Sequence, residues 1–113
     1  MKPTEIASAL NARVCCAGTF PECDVQRAYA GDRISDLIGH ASPETLLVTN
    51  IANTQLIRVA ELVGVGAICL VGGVEPSPEL LSTAQATGTV VLVSPAGLFE
   101  TCGLLYPLMG GGR

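Results

Sequence analysis

The chain predicts an α/β domain: a single layered unit whose largely parallel sheet is flanked by helices. From Thr45 onward, a β-rich apolar run, a small or polar turn and a helix of about ten residues recur three times in that order, the pattern of βα winding. The three runs, residues 45–49, 67–71 and 89–93, are almost unbroken apolar stretches, as expected of parallel strands covered on both faces. At 113 residues, and with no linker to divide it, the chain suits one core.

The elements follow in order. Thr4 is placed to cap a first helix in which Ile6, Ala9 and Leu10 recur at helical spacing, ending near Asn11. Val14 opens a short strand, residues 18–22 have the turn chemistry of Gly18 and Pro21, and residues 25–29 form a second strand. Asp32 is placed to cap a compact helix with Ile34, Leu37 and Ile38 on its apolar edge, which stops before Ser42-Pro43. The helices of the repeat start from Asn53, Ser77 and Ala96. The first carries Leu56, Val59, Ala60 and Val63 on one side and stops at Gly64, and the second stops at Gly88. The last carries Leu98, Phe99, Cys102, Leu105 and Tyr106 before Pro107. Residues 1–109 then form the domain, and residues 110–113 a flexible glycine-rich tail.

Composition excludes several functions. Hydrophobic residues make up 49% and charged residues 14%, too few charges for a solvated disordered chain. The net charge is −4 and the basic residues form no stripe, so nucleic acid is not an expected partner. Residues 80–99 lack charge, but Ser82, Thr83, Gln85, Thr87, Ser94 and Pro95 interrupt them, so no membrane span is expected. The opening Met1-Lys2-Pro3-Thr4-Glu5 is unlike a secretory signal, and five cysteines at irregular spacing fit neither a disulfide framework nor a paired zinc site. A cytoplasmic protein is expected. Cys69 and Cys102 read as core residues, while Cys15, Cys16 and Cys23 form a loose cluster near a loop. So few charges leave apolar surface to meet another copy or another protein, so a homo-oligomer is expected.

In a parallel sheet, the carboxyl ends of the strands face the starts of the following helices, whose N–H groups lack partners. Three turns therefore carry the candidate ligand site: Thr49, Asn50 and Asn53 after the first run of the repeat, Gly72 and Gly73 after the second, and Ser94 after the third. Small residues with hydroxyl or amide groups are what a backbone-lined anion or nucleotide pocket needs, and the same residues also make ordinary turns and caps. No dinucleotide-type glycine turn and no Walker-type phosphate loop is present, and Lys2 is the only lysine, which argues against a kinase. Arg27, Arg33 and Arg58 are available to anions or to nearby acids. His40 follows the compact helix, where its C-terminal dipole gives it a structural use. No Gly-x-Ser-x-Gly elbow surrounds Ser35 or Ser94. No catalytic residue, metal site or cofactor is expected.

The stretch Ala28-Tyr29-Ala30-Gly31-Asp32-Arg33-Ile34-Ser35-Asp36-Leu37 resembles the DRTGG domain. The resemblance continues through Leu47-Val48-Thr49-Asn50, residues 67–73 and residues 94–106. It departs at Glu22-Cys23-Asp24-Val25-Gln26-Arg27, where the family carries its Asp-Arg and Thr-Gly residues. The family is similar to the N-terminal domain of HPr kinase/phosphorylase and, in fold, to that of Mur ligases. It also occurs beside CBS pairs and within some phosphotransacetylases as an accessory unit. The resemblance implies a regulatory domain, not an enzyme, that senses a ligand or assembles subunits. Two functions are therefore expected: sensing of a nucleotide-like or other anionic metabolite at the strand-end turns, or docking onto a metabolic or redox enzyme.

Overall fold

The computed structural model describes residues 1–18 and 24–109. Ten elements follow one another along the chain: α1 (Pro3–Leu10), β1 (Arg13–Cys16), β2 (Arg27–Ala30), α2 (Ile34–Gly39), β3 (Thr45–Thr49), α3 (Thr54–Leu62), β4 (Ala67–Leu70), α4 (Pro78–Thr87), β5 (Val90–Val93) and α5 (Leu98–Leu108). The strands form one sheet in the order β1-β5-β4-β3-β2. β2, β3, β4 and β5 are parallel neighbours, and β1 joins the far edge antiparallel to β5. The α/β class and the three side-by-side crossovers are thus present. The antiparallel edge strand was not foreseen.

Strand alternation sorts the core into two layers. Leu46, Val48, Ala67, Cys69, Val90 and Leu92 face α1 and α5, where they meet Ile6, Ala7, Leu10 and Leu105. Leu47, Ile68, Leu70, Val91 and Val93 face α2, α3 and α4, where they meet Leu37, Leu56, Ile57, Ala60, Leu80 and Ala84. Every residue of β3, β4 and β5 is buried, which accounts for their almost unbroken apolar runs. Among the described residues, no helix is long and apolar enough to cross a membrane.

Several boundaries differ from the sequence expectation. α1 starts at Pro3 with Lys2 as its cap residue, so Thr4 lies inside it. Proline already lacks the N–H that a first turn leaves unpaired, and the Glu5 carboxylate accepts the Lys2 backbone N–H at 2.7 Å, so the cap lies two residues earlier. Ala7, not Ala9, joins Ile6 and Leu10 in the core. Asp32 does not cap α2. Arg33 occupies that position with no side-chain cap bond, and the short helix is held by its buried Leu37. α3 buries Ile57 beside Leu56 and Ala60, leaving Val59 and Val63 half-buried.

α5 begins after Gly97, not at Ala96, and continues through Pro107. Pro107 lacks the N–H that would bond the Gly103 carbonyl, and only one helical bond is lost so near the end. Phe99 and Tyr106 are exposed, and Cys102 is half-buried where a core position was expected. Cys69 is fully buried, as expected. The turn at residues 18–22, Cys23 and the tail at residues 110–113 lie wholly or largely outside the described residues.

Candidate ligand site at the carboxyl edge of the sheet

Parallel pairing of β3, β4 and β5 delivers their three following turns to one edge, and backbone bonds knit those turns into a rim. The Val71 N–H donates to the Thr49 carbonyl at 3.1 Å, Ser94 N–H to the Leu70 carbonyl at 2.9 Å, and Gly72 N–H to the Ala96 carbonyl at 3.3 Å. The six residues singled out in the sequence divide into two kinds along this rim.

Thr49, Asn53 and Ser94 have local structural work. Thr49 is buried, and its Oγ1 accepts the Ile51 N–H at 3.1 Å, which turns the chain away from β3. Asn53 caps α3 by accepting the Leu56 N–H on Oδ1 at 3.0 Å. The Ser94 hydroxyl, also buried, bonds with Thr101 Oγ1 at 2.9 Å and accepts the Ala96 N–H at 3.3 Å, fixing the β5 turn to α5.

Asn50, Gly72 and Gly73 are instead exposed at the crest of the rim. Gly72 and Gly73 have φ of +74° and +78°, consecutive left-handed conformations that only glycine adopts without strain. A side-chain carbon added at Gly72 would lie 4.0 Å from Asn50 Cβ, so these two residues are neighbours across the β3 and β4 turns. At Gly73 such a carbon would meet open space, leaving the backbone there approachable. Of the three helices that start at this rim, α4 carries Glu79 and α5 carries Glu100 in its first turn, whereas α3 carries no acid. The positive end of the α3 dipole beside Asn50 and Gly72 is therefore uncompensated by a first-turn carboxylate.

Because β1 runs antiparallel, its first residue arrives at the same edge. Arg13 ion-pairs with Glu75 of the β4–α4 turn, and the pair bounds a shallow cleft of about 230 Å³ whose floor is Gly73, Ser94 and Pro95. Both side chains are more than half exposed, and the carboxylate holds the guanidinium in its charged form, raising its pKa. Sequence reasoning gave no site role to Arg13, Glu75 or Asn11, the last a neighbour of Arg13 in the cleft wall. The missing fact was the direction of β1, which four residues of strand do not encode. Arg27, Arg33 and Arg58, weighed as anion partners, do not line this cleft. Arg27 reaches Glu44 at 3.5 Å, and Arg33 lies 3.9 Å from Asp36.

His40 lies away from this edge. Its ring stacks on Tyr29 with centroids 4.0 Å apart, and its Nδ1 lies 3.0 Å from the Asp36 carbonyl oxygen, at the end of α2. Among the described residues, no group of three or more histidine, cysteine, aspartate or glutamate side chains is arranged to hold a metal ion.

Residues 5–107 match the model of the DRTGG domain, and the chain belongs to that family. Among solved structures, it is similar to the CBS and DRTGG domains of the regulatory region of Clostridium perfringens pyrophosphatase, complexed with the activator diadenosine tetraphosphate. The TM-score is 0.73 at 16% identity, and the match covers 92% of this chain but 45% of the clostridial one. The chain thus spans less than half the length of that relative, and the likeness establishes the fold. No curated protein matches the sequence.

Proposed function

We propose that this chain is a non-catalytic regulatory domain that senses a nucleotide-like or other anionic metabolite at the carboxyl edge of its sheet. The observation that carries the reading is the convergence there of Asn50, the left-handed pair Gly72 and Gly73, and the uncompensated start of α3. Exposed backbone beside a helix start favours phosphate or carboxylate groups. Arg13 adds a cation at the adjoining cleft, and an anionic ligand would compete with Glu75 for it. The regulatory role of the clostridial relative agrees with this reading. The single histidine is stacked on Tyr29 and the rim hydroxyls are bonded locally, so the reading assigns no general base or nucleophile. Free thiols at Cys15, Cys16, Cys69 and Cys102 suit a reducing, cytoplasmic setting.

Thermal unfolding in the presence of AMP, ADP, ATP, diadenosine tetraphosphate and pyrophosphate tests the proposal. A ligand that binds only the folded state raises the midpoint with concentration, and Gly72→Val or Arg13→Ala should abolish that rise. An unchanged midpoint with every member of the panel rejects the reading. A second reading, docking onto an enzyme partner, draws on the exposed aromatic residues of α5.

A further inference from the structure

We propose that Cys15 and Cys16 are a redox-active dithiol, which a small-molecule disulfide oxidises reversibly to a bond between the two neighbouring residues. A regular strand sends consecutive side chains to opposite faces of its sheet. β1 departs from that rule. Val14 pairs with Leu92 of β5 and Cys16 with Val91, so Cys15 is an extra residue, bulged out of the ladder. The bulge cancels the alternation, and both cysteines pack on the core layer that α2, α3 and α4 cover. Two thiols therefore share one face, where an unbroken ladder would separate them.

Their surroundings favour reaction. Whereas Cys69 is fully buried within β4, Cys15 and Cys16 are half-buried on a strand at the edge of the sheet, within reach of a small reagent. Arg13 lies on the same face. Its strand partner Val93 belongs to that layer, and its guanidinium interacts with Cys15 as well as with Glu75. A partly exposed thiol beside a cation is the setting in which cysteines act as nucleophiles.

The Cys15 sulfur attacks the small disulfide, which releases one small thiol and leaves a mixed disulfide on Cys15. The Cys16 sulfur then attacks the Cys15 sulfur and releases the second. Two protein thiols are oxidised to one disulfide, the reagent is reduced to two thiols, and the two protein protons leave on them. The product is easily reversed. Consecutive Cα atoms are about 3.8 Å apart, short of the roughly 4.4 Å at which ordinary disulfides begin, so the bond is strained and readily reduced. That property suits a reversible signal and not a structural staple.

Treatment of the full chain with oxidised glutathione, then denaturation, alkylation and mass spectrometry, tests the inference. The expected product is a monomer without bound glutathione in which two of the five cysteines no longer take up the alkyl group. Excess reduced glutathione should restore all five. Cys16→Ser should stop at the mixed disulfide and gain the mass of one glutathione, and Cys15→Ser should not form the protein disulfide. Cys23→Ser, Cys69→Ala and Cys102→Ala should each still lose two thiols. Should a serine variant misfold by circular dichroism, Cys15→Ala and Cys16→Ala replace it. A wild-type chain that keeps all five thiols, ends as a mixed disulfide or links into a dimer overturns the inference. A loss of thiols that Cys23→Ser prevents overturns it equally.

Discussion

The two faces of the sheet are built from the same alternating strands yet are covered to different extents. On one face, α2, α3 and α4 lie in a row, and Leu37, Leu56, Ile57, Ala60, Leu80 and Ala84 close over Leu47, Ile68, Leu70 and Val91. On the other, two helices serve five strands: α1 lies against β1, and α5 against β2 and β3. There Leu105 is the one fully buried apolar side chain of α5, and a groove remains over Ala28 and Ala30. The difference shows that a strand's apolar pattern dictates that it be covered, while the number and aim of the helices dictate how completely. The better-packed face also carries α3, whose start borders the rim at Asn50.

This contrast gives graded expectations for stability. Ile57→Ala removes a fully buried side chain from the closed face, where neighbours have little room to relax, and should cost about 4 kcal/mol in urea unfolding. Leu105→Ala on the other face enlarges an opening that already exists, and should cost nearer to about 2 kcal/mol. Equal losses from the two would remove the packing difference.

Alkaline pH probes the α1–α5 face from within. Burial pushes the Cys69 thiol from 9.0 up to about 12, so the folded state holds it neutral while the unfolded chain releases its proton earlier. The stability this gives is fully present below pH 9.0 and is lost as pH rises toward about 12. Urea midpoints across that window should fall more steeply for the wild type than for Cys69→Ala, and parallel slopes would exclude Cys69 as the cause. The smallest effects belong to the rim. Asn53→Ala, which removes the α3 cap, and Gly73→Ala, which forces a side chain into a left-handed conformation, should each cost about 1 kcal/mol.

The repeated half of the molecule was legible because each signal there had a single physical meaning. Runs buried on both faces are apolar but for the threonines that end β3, Asn53 and Ser77 accept the N–H bonds of real helix starts, and Gly88 closes α4 at φ +75°. The N-terminal third was less so. In β1, the half-buried Cys15 and Cys16 sit beside exposed Arg13 and Val14, so neither a clear face nor a direction can be read. Phe99 and Tyr106 could be placed on the last helix from the sequence, but not on one of its faces. Their exposure depends on where α5 sits over β2, which is tertiary information. At the site, the three crest residues stood out as turn chemistry, but Arg13 and Glu75 are 62 positions apart and meet only through the antiparallel edge.

Amide chemical-shift mapping of the isotopically labelled chain, titrated with the strongest stabiliser from the nucleotide panel, tests the central claim most directly. Saturable shifts concentrated at Asn50, Gly72, Gly73 and the first turn of α3, and lost in Gly72→Val, are the predicted result. Shifts confined to the α5 flank, or scattered without saturation, would contradict it.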